Sequence, residues 1–272
     1  MNYEKGRKKR HNDELNAYDL DHLSDRDLLF LIENYVTKRQ DYEHIADLVR
    51  GDVDIVSKMV DSDRVFEKVM REGNVILHSS PYFLFTLLLR RVFKLKKDDG
   101  GFINDVVEEL NSAEGSSYSW NRNKVVRLLN SADVPNYLAN MLSTFVQTSR
   151  LYKMEKDEEN QYRYISDMIE EIQRSDSARR FYIYCHIGNY TLFFTGMFSE
   201  YIEHKFKYKK TLVSSRYYAD FGKTYFGLAS EHVIARQHEL NDTLHSLSEG
   251  FEIITKLLQY MRKEYLALYN LK

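Results

Sequence analysis

The sequence predicts an all-α protein, a multi-helix bundle preceded by a small helical N-terminal unit. Proline and glycine carry the first argument. Two prolines and 11 glycines in 272 residues leave too few turn formers for a β-rich chain. The second is pattern: apolar residues recur every three or four positions behind acidic or hydroxyl starts, with no regular strand-turn-strand spacing. The third is content: Leu, Lys, Glu and Arg favour long helices.

The segment 1–22 is polar and mixed in charge, and its "GRKKRH" run (Gly6 to His11) reads as a solvated tail. No apolar stretch follows these basic residues, so it is not a secretory signal. Residues 23–76 read as the small helical unit. Ser24 caps "DRDLLFLIENYV", with Asp25 and Asp27 at the positive end of the helix dipole. "DYEHIADLVRG" stops near Gly51, and "DVDIVSKMV" and "DSDRVFEKVMREG" each open on Asp.

Residues 77–272 read as the main bundle. Ser80 followed by Pro81 starts a helix, because proline at the first helical position loses nothing by lacking its N–H. Arg90 and Arg91 are expected to close it near Phe93, with "KKDDGG" as a connector. "FINDVVEELN" and "NRNKVVRLLN" are amphipathic helices split by the loop "SAEGSSYSW". Asp133 and Pro135 start a helix expected to reach Met154. The charged "EKDEENQ" is a connector, and the next helix sets Tyr164, Met168, Ile169 and Ile172 on one side. A long helix is expected over Ser177–Phe206, another over "SSRYYADFGKTYFGLASEH", and a last one over Glu239–Tyr269. This last carries Leu240, Leu244, Leu247, Phe251, Ile254, Leu258 and Met261 as a bundle seam.

Phe181 to Ser199 holds no charged residue. A membrane span needs about 20 mostly apolar residues. Here His186 and Asn189 lie at the centre, where a bilayer offers no hydrogen-bond partner. The stretch therefore reads as a helix buried in protein. His186, Asn189, Tyr190 and Phe193 share a face by three and four spacing. They are either satisfied core groups or one wall of a cavity for a flat or apolar small ligand. Gly188 and Gly196 permit close approach of a helix or of that ligand.

Other chemistries find little support. A net charge of -2 points to neither nucleic acid nor an anionic membrane. The run "NRNKVVRLLNSADVPNYLANML" has a basic edge in Arg122, Lys124 and Arg127 but no recognition helix. No Glu-x-x-His pair or HExxH is present, so no metal and no cofactor is expected. The stripe Glu231, His238, Asp242, His245 and Glu249 lies opposite the apolar seam and reads as a solvated face. Cys185 and His186 are neighbours, pointing about 100° apart on a helix, so they form no dyad. One cysteine fits a reducing cytosol, and the protein is expected to be cytoplasmic.

The strings "HIGNYTLFFTGMFSEYI", "YYADFGKTYFGLASEH" and "HSSPYFLFTLLLRR" resemble those of a family of uncharacterised bacterial all-helical proteins. The resemblance covers roughly residues 77–269. It implies a helical fold and a bacterial origin, and it carries no catalytic residue. It directs attention to His186, Asn189, Tyr218 and His232. Family members often carry proline where this chain has Ser199, which implies a helix lengthened through Glu203 here. With no catalytic motif and 21 tyrosines, the expected function is a non-enzymatic binding or regulatory module. It would act through a protein partner or a homo-oligomer. The alternative is a ligand-binding or enzymatic bundle with its cavity beside His186 and Asn189.

Overall fold

The structure is a computed structural model, and it describes residue 20 and residues 23–36, 41–72, 79–112, 119–153, 160–208 and 214–266. Among these every regular element is a helix, as the sequence predicts. By contacts the chain divides into two compact units, Met1–Arg91 with Pro135–Ser143, and Val92–Val134 with Thr144–Lys272. The expected polar tail (apart from Leu20) and the connector 154–159 lie outside the described residues, as do 113–118 of the expected loop.

In the first unit, α1 (Asp25–Tyr35) packs against α2 (Tyr42–Val49), α3 (Val53–Val60) and α4 (Asp63–Arg71). Caps act where the sequence places them. Ser24 Oγ accepts the Asp27 N–H and Asp52 accepts the Ile55 N–H. Gly51 takes φ +85°, the left-handed turn that glycine reaches without strain. Leu28, Leu31, Ile32, Val56, Val65 and Val69 form a core with Phe83 and Leu87. Asp27 is 1% exposed, and this buried carboxylate is fully used. Oδ1 accepts the Ser80 N–H at 3.0 Å and Oδ2 the Ser24 hydroxyl at 2.5 Å.

Ser80 Oγ caps α5 (Pro81–Asp98) by accepting the Phe83 N–H. Arg90 and Arg91 do not close this helix. They are interior positions, with Arg90 holding both Asp61 oxygens and Arg91 pairing with Asp63 over the Phe66 ring. "KKDDGG" is no connector either: only Asp99 separates α5 from α6 (Gly100–Ser112), and its side chain caps the Phe102 N–H.

In the second unit, α7 (Arg122–Leu129) follows α6. The helix expected through Met154 is broken into α8 (Asp133–Phe145), whose residues Pro135–Ser143 belong to the first unit, and α9 (Thr148–Leu151). Ser131 rather than Asp133 caps its start, accepting the Val134 N–H. α10 (Ile165–Arg174) buries Met168 but leaves Tyr164 outside its inner face, 69% exposed. The span Ser177–Phe206 is likewise two helices. α11 (Ser177–Met197) ends at Phe198, whose ψ of 32° lies off the helical value, and α12 (Ser199–Tyr208) starts anew. α13 (Ser215–Ser230), α14 (Val233–Gln237), α15 (Asn241–Glu249) and α16 (Phe251–Met261) follow, and a π-helical turn, Arg262–Leu266, ends the described chain. The expected last helix is thus broken at Gly250, although its seam from Leu240 to Met261 is buried throughout.

α11 packs against α13 and α16. Glycines set the spacing. A Cβ at Gly188 would meet Phe226 at 2.7 Å, one at Gly196 would meet Leu258 at 2.7 Å, and one at Gly222 would meet Phe251 at 2.1 Å. Neighbouring helices fill the space at Gly188 and Gly196. No helix among the described residues is long and apolar enough to cross a membrane.

Candidate functional site

Successive turns of α11 carry a row of rings. His186 and Tyr190 have centroids 6.4 Å apart, Tyr190 and Phe194 4.6 Å, and Phe194 and Phe198 5.9 Å. The i, i+4 spacing places them above one another on one face. Phe145 closes the buried end, edge-on to both His186 and Phe193. Tyr218 of α13 joins by stacking on Phe194, with centroids 6.1 Å apart.

His186 is buried, with one ring nitrogen bonded to the Leu151 backbone and Nε2 buried without a hydrogen-bond partner. Nε2 can therefore take one hydrogen bond, donating or accepting according to the tautomer. Burial, helped by the charges of Arg150 and Arg179, lowers the His186 pKa to about 4, so the ring is neutral at physiological pH. The Leu151 backbone acts the other way and favours the charged imidazole, but burial outweighs it. Asn189 is half-buried and engaged in an interaction of its own.

The Tyr190 hydroxyl donates to the Arg163 carbonyl at 3.1 Å. Burial raises its pKa above the usual phenol value, and the nearby phenols of Tyr218, Tyr152, Tyr164 and Tyr201 add to the rise. Cys185 beside the row is a thiol whose pKa burial drives upward.

His232 stands apart. It caps α14, with Nδ1 accepting the Ile234 N–H at 3.2 Å and Nε2 facing the Ser177 hydroxyl at 3.0 Å. Ser177 starts α11, nine positions before His186, or about 13 Å along the axis. The structure thus sets His186 against Tyr190, places Tyr218 at Phe194, two turns along the helix from His186, and gives His232 a capping task elsewhere. Among the described residues no group of three His, Cys, Asp or Glu side chains is placed to hold a metal ion. In the stripe considered above, Glu231, Asp242 and His245 are exposed.

Sequence reasoning stopped at Phe193 and missed the far end of the row. Phe198, Tyr201, Phe206 and Tyr208 are each between 44% and 65% exposed, while Ile202 between them is buried. The signal was the continued four-residue spacing from His186 to Phe198. The row runs from a closed, buried imidazole to an open aromatic surface, an arrangement suited to contact and stacking.

No family model, no curated protein and no solved structure matches the chain.

Proposed function

We propose that this chain is a non-enzymatic binding module that docks another protein chain on the aromatic surface of Phe198 and α12. The observation that carries this reading is the exposure of Phe198, Tyr201, Phe206 and Tyr208 within eleven residues. Tyrosine and phenylalanine are enriched at interface cores, where their rings bury large areas at little entropic cost. The occupant is a second copy of the chain. α12 carries Glu203 before His204 and Lys207 after it, both exposed. A twofold axis near His204 sets the acidic half of one copy against the basic half of the other.

Sedimentation equilibrium over a wide concentration range tests the reading. The mass of the wild type should rise from the 32.4 kDa monomer toward the dimer. The double variant Phe206→Ser, Tyr208→Ser should remain monomeric with unchanged helicity. A wild type that stays monomeric throughout refutes it. The single cysteine and the family resemblance support placing the protein in a bacterial cytosol.

The unpartnered Nε2 of His186 favours a second reading, a small ligand with a hydroxyl or amide that hydrogen-bonds to it. Native mass spectrometry of the purified protein tests this. A retained mass present in the wild type and lost in His186→Phe supports the ligand, and a clean apo mass in both removes it.

A further inference from the structure

We propose that a groove between α12 and the end of α16 is an anion site for a phosphoryl group, with Glu200 as a built-in occupant that the ligand displaces. The groove encloses about 610 Å³, within the range of small-ligand sites. Its wall includes Ser199, Glu200, Lys256, Gln259, Arg262 and Lys263, three cations against one carboxylate. Arg262 presents its guanidinium fork to Glu200, with Nη1 on Oε2 at 2.6 Å and Nη2 on Oε1. Two oxygens of a phosphoryl group match the same fork, with more charge than a carboxylate. The Arg262 Nε–H is buried and has no hydrogen-bond partner, so the guanidinium keeps a donor that Glu200 does not use.

The other cations fit this role. Lys256 reaches Glu109 at 2.7 Å. Lys263 is exposed and forms an ion pair with none of the described residues, which leaves the groove positive after both internal pairs are counted. Arg262 and Lys263 open the π-helical turn Arg262–Leu266. Such turns are rare and recur at functional sites, because the widened backbone re-aims side chains at the cost of regular hydrogen bonding. Glu200 is 71% exposed, and an ion pair so open to water contributes little, so a dianion can replace it. The Glu200 carboxyl is held below its usual pKa chiefly by its bond to Arg262, and is therefore charged and competing at neutral pH.

The test is calorimetric titration of the full chain with inorganic pyrophosphate at low salt. Glu200→Gln keeps the shape and removes the competing charge. It should bind about five- to tenfold more tightly than the wild type. Arg262→Gln should lose the binding while its helicity and melting temperature show it folded. Pyrophosphate bound equally by wild type and Glu200→Gln overturns the displacement. Binding that survives in Arg262→Gln overturns the site, since it is then only general attraction to lysines. Absence of heat in both the wild type and Glu200→Gln overturns the whole proposal.

Discussion

Replacing Gly222 with alanine adds one methyl group where three helices meet. Its Cβ would lie 2.1 Å and 2.6 Å from two ring carbons of Phe251 and 2.7 Å from Thr191 Oγ1. Apolar carbons rest about 3.5–4.0 Å apart, so the ring edge must retreat by more than an ångström. It has nowhere to go. Phe251 is fully buried and stands beside Phe226, and the Thr191 hydroxyl is held by backbone carbonyls of its own helix. Overpacking of this kind costs about 1–3 kcal/mol, and this site belongs at the upper end. Alanine recovers about 1 kcal/mol over glycine inside a helix. The net expectation is a loss of about 1–2 kcal/mol, read by urea denaturation, with a melting temperature lowered by about 2–8 °C. Gly101→Ala is the control. Its nearest neighbour lies at 3.4 Å, an ordinary contact, so it should be neutral or slightly stabilising. A Gly222→Ala protein as stable as Gly101→Ala would refute the close approach of α11, α13 and α16.

Two further changes test the buried polar groups. His186 has a folded pKa of about 4 against 6.5 unfolded, so the unfolded chain binds the extra proton and stability falls as pH drops from about 6.5 toward 4. Between pH 7 and about pH 5 the wild type should lose about 2 kcal/mol more than His186→Gln, and parallel pH profiles from the two proteins would contradict this. Asp27→Ala removes the acceptor of the half-buried Ser80 N–H and should cost about 1–2 kcal/mol by urea denaturation. Asp27→Asn keeps an acceptor oxygen and should fall between, whereas an alanine variant close to wild type would mean that water satisfies Ser80.

Helix starts were legible because capping is local. Ser24, Asp52 and Ser80 each bond a backbone N–H three residues ahead, so the signal lies within four letters of sequence. Helix ends were less legible. Arg90 and Arg91 resemble a C-terminal pair, but their partners are Asp61 and Asp63, and with those charges met the helix runs on to Asp98. The breaks at Phe198 and Gly250 escaped notice for a similar reason, since a continuous apolar seam carries no mark of a local change in backbone direction.

The candidate site divides in the same way. His186 and Tyr190 were found because a spacing of four is a property of a single helix. Tyr218 stacks on Phe194, while His232 caps a turn at the other end of α11. That sorting depends on how α11 and α13 are set against each other. Composition and periodicity alone determined an all-helical chain with a long buried helix in its second half, since turn formers, caps and apolar spacing act over a few residues. Which side chains meet was decided by tertiary packing. Gly188, Gly196 and Gly222 set the helix spacing, and Glu200 and Arg262, 62 positions apart, met only once that spacing existed.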